Sequence, residues 1–277
     1  MTNSFFSKLE EKWSGEKFLC VGLDPDLTKI PKLIQTKNIT ETIVSFNKAI
    51  IDATADLVCA FKPNSAFYEA YGVEGVEALK QTIAYIHKKY PDVPVALDAK
   101  RGDIGNTNKG YATYAFDYLQ ADAMTVQPYL GKDAVQPLLD RKDKGIIILV
   151  KTSNKGSGDF QDMLVGDEKK SLYKVVAESI VKDWNTNGNC AIVVGATYPE
   201  ELKAVRKIVG DMPILIPGIG AQGGNVADAV QAGKNKKGTG MIIATSRAIL
   251  YASNGEDFVA AARKEAEKLH NEIKNNL

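Results

Sequence analysis

Eight short runs rich in β-branched and other apolar residues recur along the chain, each followed by a stretch of helical periodicity, and no other feature restricts the fold as much. The runs cover residues 18–24, 57–64, 93–100, 123–128, 146–153, 191–196, 214–220 and 241–247. The amphipathic segments lie near 40–54, 73–90, 106–119, 132–141, 171–185, 199–210, 225–232 and 256–274. Near-continuous apolar strands alternating with helices describe a parallel sheet covered by helices. Eight such units within 277 residues predict a single (β/α)8 TIM barrel forming one domain over 1–277. A doubly wound open sheet is the alternative. Residues 2–14 precede the first run and predict a short extra N-terminal helix that could cap the barrel floor.

Composition narrows the classes of partner. A net charge of +1 argues against a nucleic-acid footprint. Cys20, Cys59 and Cys190 each sit in an apolar run without paired spacing, which predicts buried small hydrophobes rather than disulfides or a zinc site. No run reaches the roughly 18 apolar residues of a membrane span, and the first residues lack a signal core. A soluble, cytoplasmic protein is expected.

Polar residues gather at the carboxyl ends of the runs, where barrels of this kind carry their chemistry. The first ends at Asp24, the second at Lys62 and Asn64, the third at Asp98 and Lys100. The fifth ends in Lys151-Thr-Ser-Asn154 and the eighth in Ser246-Arg247, whereas the opposite ends carry nothing comparable. Asp98, Lys100 and Asp103 form a D-x-K-x-x-D pattern. On a regular strand Asp98 and Lys100 project from one face, away from Leu97 and Ala99. Taken alone, the pattern fits a structural ion-pair network at a strand end better than a reactive centre, although such networks rarely repay their desolvation as stability; its surroundings shift the reading towards a site.

The segment 217–224, PGIGAQGG, ends the seventh run and opens a helix. Its glycines let backbone N–H groups approach an anion, and Arg247 offers a bidentate fork, so the two suit a phosphate. A plain tight turn is the alternative. His87 and His270 are expected to be exposed and idle, leaving Lys and Asp for acid–base work. No His, Cys and carboxylate set has metal-ligand spacing.

Six segments together resemble the orotidine 5′-phosphate decarboxylase family, and its long-chain bacterial type 2 branch in particular. They are 96–107 (ALDAKRGDIGNT), 61–72 (FKPNSAFYEAYG), 126–131 (VQPYLG), 151–154 (KTSN), 194–197 (VGAT) and 217–224 (PGIGAQGG). The resemblance implies a cofactor-free lyase that converts orotidine 5′-phosphate to UMP and carbon dioxide, closing pyrimidine nucleotide synthesis. It also implies a homodimer in which Asp103, Ile104 and Thr107 cross the interface into the partner's site. Lys62, Asp98, Lys100 and Asp103 would form the charged catalytic array. Asp24 and Thr107 would hold the ribose, and Asn64 and Ser153 would face the pyrimidine. Gln222, Gly223 and Arg247 would grip the phosphate, with Pro217 lining the pocket.

Lys100 is then expected to stabilise the carbanion formed at C6 and to protonate it, its charged form favoured by the flanking aspartates. Residues 154–166 are a candidate lid. Three rival readings are a magnesium-dependent hexulose-phosphate synthase, a Schiff-base aldolase and a non-enzymatic nucleotide-binding barrel. In the aldolase, carboxylates beside the lysine would push its pKa the wrong way.

Overall fold

The structure, a computed structural model, describes residues 4–219 and 223–277, and all eight expected strands form within them. They are β1 (Leu19–Leu23), β2 (Val58–Pro63), β3 (Ala96–Arg101), β4 (Ala123–Val126), β5 (Gly145–Lys151), β6 (Cys190–Val194), β7 (Ile214–Pro217) and β8 (Met241–Thr245). Every pairing among them is parallel, in the order β2-β1-β8-β7-β6-β5-β4-β3. The sheet closes between β2 and β3 through two isolated bridges, Phe61 with Val95 and Asn64 with Asp98. Most strand residues are buried because one face fills the barrel interior and the other meets the helices. Cys20, Cys59 and Cys190 are among these buried residues, as expected.

Among the described residues nine main helices accompany the strands: α1 (Phe5–Ser14), α2 (Ile39–Thr54), α3 (Gly72–Lys89), α4 (Gly105–Ala112), α5 (Lys132–Leu139), α6 (Leu172–Ser179), α7 (Pro199–Val209), α8 (Val226–Gly233) and α9 (Phe258–Asn275). Their starts follow local chemistry. The Asn38 and Asn225 side chains accept from the N–H groups of Glu41 and Asp228, which caps α2 and α8, and Pro199 begins α7. α4 and α6 each run on into a wider π-helical turn, Thr113–Tyr118 and Ile180–Trp184.

α1 closes the amino-terminal end of the barrel. Ser4 and Ser7 cap it reciprocally, and its apolar face enters the floor. A Cβ on Gly145 would lie 2.3 Å from the Phe5 ring, so only glycine admits Phe5 at the start of β5. Trp13 Nε1 donates to the Met241 carbonyl (2.8 Å) at the start of β8. Lys8 Nζ reaches Asp122 Oδ1 at 3.0 Å, and Lys12 pairs with Asp92.

This end is therefore not the featureless one expected from sequence. Asp122 is buried and also bonds His87 Nε2 (2.9 Å) and the Val95 N–H (2.8 Å). Burial would raise its pKa, but His87 and Lys8 hold it below the usual carboxylate range. His87 is thus engaged in a structural network rather than exposed and idle. His270 is half-buried, and burial pulls its pKa down.

Candidate active site

A cleft of about 1090 Å³ opens at the carboxyl ends of the strands. Asp24, Lys62, Asn64, Asp98, Lys100, Ser153, Pro217 and Arg247, all singled out in the sequence, line it together. Thr152, Gln127 and Pro128, from segments singled out in the sequence but given no role of their own, line it as well, as does Gln161.

Asp98 is the centre of the charged array. Its Oδ1 takes hydrogen bonds from Lys100 Nζ (2.6 Å) and Thr125 Oγ1 (2.9 Å). Its Oδ2 takes them from Lys62 Nζ (3.1 Å) and Asn64 Nδ2 (3.3 Å). Burial would raise the pKa of Asp98, yet Lys62 and Lys100 bring it well below the usual carboxylate range. Burial would likewise push Lys62 down, but Asp98 and Asp24 more than offset this and hold its ammonium above the ordinary lysine value. The two lysines differ in setting: the side chain of Lys62 is 7% exposed and that of Lys100 44%.

The strand carrying this array is not regular. Leu97 pairs with Met124 and Arg101 with Val126, so four steps along β3 face two along β4. Lys100 sits inside this bulge at φ +47°, a left-handed conformation uncommon outside glycine that costs of order 1–3 kcal/mol. The simple alternation expected for Asp98 and Lys100 fails here. The bulge nevertheless leaves the Lys100 ammonium against Asp98 and in the cleft.

Asp24 is held by the segment that follows β1. Its Oδ1 accepts from the Asn64 N–H (3.2 Å), and its carbonyl accepts from Tyr251 Oη (2.9 Å). Tyr68 Oη donates to the Leu23 carbonyl at 2.9 Å just before it. Glycine is required at Gly22, where a Cβ would fall 1.8 Å from Ser246 Oγ, beside Arg247.

The connection after β5 is folded rather than open. It contains a short helix, Gly158–Gln161, and a two-stranded hairpin, Leu164–Val165 with Lys170–Ser171. Lys151, fully buried, bonds Asp162 Oδ1 at 2.7 Å. Thr152 exchanges two hydrogen bonds with the Gln161 side chain, both 2.9 Å. The stretch expected to be a lid is thus fastened to its own strand near residues 161–162, and Ser153 follows directly after the fastened Lys151 and Thr152.

At the end of β7, Gly218 adopts φ +104°, and its carbonyl accepts from the Gly224 N–H (3.1 Å). Gly223, also left-handed at φ +86°, is exposed and does not line the cleft. Gln222 lies outside the described residues. Arg247 opens a short helix, Arg247–Leu250, after β8.

Asp103, Ile104 and Thr107 do not join the cleft of their own chain. The Asp103 carboxylate accepts from the Ile104 N–H (2.7 Å), while Ile104 and Thr107 are exposed. Among the described residues, no three His, Cys, Asp or Glu side chains are grouped as metal ligands would be.

The chain is similar to known proteins over nearly its whole length. The model of a family described as Orotidine 5′-phosphate decarboxylase / HUMPS matches residues 17–264. A protein of Cellvibrio japonicus (strain Ueda107) named orotidine 5′-phosphate decarboxylase is 52% identical over 271 residues, covering 98% of either chain. The structure of Leishmania donovani OMP decarboxylase aligns with a TM-score of 0.83 at 40% identity, over 98% of this chain and 99% of that one. Leishmania donovani UMP synthase aligns at 0.85 and 42% identity over 98% of this chain, which spans 56% of that longer protein.

Proposed function

Because the chain belongs to the orotidine 5′-phosphate decarboxylase / HUMPS family, we propose that Lys100 carries the proton transfer at its strand-end cleft. The protein is a carboxy-lyase of pyrimidine biosynthesis that converts orotidine 5′-phosphate to UMP and carbon dioxide. The finer assignments rest on one observation above all: Asp98 is shared by two ammonium groups, of which only that of Lys100 is substantially open to the cleft.

In this reading the bond from C6 to the carboxylate breaks, and its electron pair stays on C6 as carbon dioxide leaves. The Lys100 ammonium stabilises that pair and then delivers a proton to C6, and water reprotonates the neutral amine. Lys62, buried, holds the Asp98 carboxylate in place. A substrate carboxylate ~4 Å from Asp98 would be repelled by roughly 4 kcal/mol at an effective dielectric of 20, and the repulsion vanishes with carbon dioxide. No cofactor is assigned a part, since one ammonium supplies both the charge and the proton.

Asp24 and Thr107 bind the ribose, and Asn64 and Ser153 face the pyrimidine. Arg247, Gln222 and Gly223 hold the phosphate beside Pro217, and that remote grip helps to organise the site. The chain works as a single barrel domain over 1–277 and as a homodimer, each protomer lending Asp103, Ile104 and Thr107 to its partner. The exposed side chains of Ile104, Tyr129 and Leu130 support such an interface. Among the described residues no helix is long and apolar enough to cross a membrane. We place the enzyme in the cytoplasm, beside its charged nucleotide substrate.

The test follows the fall in orotidine 5′-phosphate absorbance with chelator present and no cofactor added. Turnover is expected to persist, whereas a magnesium-dependent synthase would show none. Lys100→Ala should abolish turnover while UMP still binds. Substantial residual activity in that variant would remove Lys100 from the role of proton donor.

A further inference from the structure

Thr125 is a buried threonine on β4, in an otherwise apolar run. Its hydroxyl meets both members of the reactive pair on the neighbouring strand. The Lys100 N–H donates to Thr125 Oγ1 at 2.9 Å. Thr125 Oγ1 lies 2.9 Å from Asp98 Oδ1, the oxygen that also receives the Lys100 ammonium. A hydroxyl has one hydrogen to give and lone pairs to accept with. An amide N–H can only donate and an ionised carboxylate can only accept, so the direction of both bonds is forced.

This geometry answers a problem set by the bulge in β3. Between Leu97 and Arg101 the ladder to β4 is interrupted, and Lys100 is left-handed within the gap. A backbone N–H released from a ladder needs another acceptor, and the part-buried Lys100 N–H is one of these. Here a side chain from the adjacent strand supplies it and passes its own hydrogen to Asp98. We propose that Thr125 is a positioning residue for the decarboxylation: one hydroxyl fixes the left-handed backbone of Lys100 and the orientation of the Asp98 carboxylate. The inference rests on the assignment of Lys100 and Asp98 given above.

The role predicts a division between kcat and binding. Thr125→Val keeps the shape of the side chain and removes the hydroxyl. It should lower kcat about tenfold or more through misplaced charge. The KM for orotidine 5′-phosphate and the affinity for UMP should stay within about twofold, because ribose and phosphate contacts lie elsewhere. Thr125→Ser, which restores the hydroxyl without the methyl, should recover most of the kcat.

Three results would each overturn the proposal: a parental kcat in Thr125→Val, an equal loss of kcat and UMP affinity, or a serine variant as impaired as the valine one. If Thr125→Val does not fold, Thr125→Ala against Thr125→Ser gives the same contrast. Lys100→Ala, assayed alongside, separates the two levels. Its retention of activity would undo the reading of the site, whereas an active Thr125→Val beside an inactive Lys100→Ala undoes the positioning role alone.

Discussion

Four side-chain donors converge on Asp98, two on each oxygen, which leaves its carboxylate with little freedom to turn or to take up a proton. The sign of the resulting pH effect is set by the depressed folded-state pKa. The stabilising contribution of ionised Asp98 is complete above the unfolded value of about 3.9, and it is lost as pH falls through the lower folded value. Asp98→Asn strands Lys62 in a buried site and should lower stability at pH 7 by roughly 3–5 kcal/mol. That deficit should shrink once the pH drops below about 4. Urea titrations at pH 7 and pH 3 check this, and an identical deficit at both would contradict it. The charged members of the array were legible because Asp and Lys interrupt an apolar run at its carboxyl end. Thr125 was not, since a threonine within AMTV also reads as an ordinary strand former. Nor was the conformation of Lys100, which depends on a bulge against a strand that its own sequence does not specify. Asp24 is steadied by Tyr251, 227 residues away, a contact that only the closed barrel creates.

The strands and helices divide the molecule into a floor that holds and a rim that reacts. α1 brings Lys8 and Lys12 to the floor, where Lys8 meets Asp122, itself joined to His87 of α3. Charge there is assigned to folding, because the cleft opens at the opposite end of the barrel. Asp122→Asn should therefore reduce the urea midpoint, by roughly 3–5 kcal/mol in unfolding free energy, through the unpaired Lys8. The kcat of the folded fraction should match that of the parent enzyme; a comparable loss of kcat would mean that the floor communicates with the rim. Strand positions were legible to within a few residues because apolar runs and helical periodicity alternate so regularly. The floor network was hidden because Lys8, His87 and Asp122 are far apart in sequence and meet only when α1 docks. The hairpin after β5 was hidden for a different reason. Its strands are two residues long and too short to carry a periodic signal, so the stretch reads as a loop.

For the whole molecule, Asp103 and the exposed Ile104 and Thr107, which stand outside the cleft of their own chain, suit a dimer in which every site draws on two chains. Mixing Lys100→Ala with Asp103→Asn, each inactive alone, should then restore activity. With random exchange half the dimers are mixed and one of their two sites is intact, so about a quarter of parental activity is expected. Activity that stays at the level of the separate variants would show that each site is built from one chain. The way the barrel closes has its own consequence. β2 and β3 meet through isolated bridges instead of a continuous ladder, and Lys62 and Asn64 reach across that joint to Asp98. The charges proposed to drive decarboxylation thus also act as the clasp of a hoop. An evolving sequence cannot retune the reactivity of this centre without also altering how firmly the barrel wall is fastened, so turnover and closure are selected through the same three side chains.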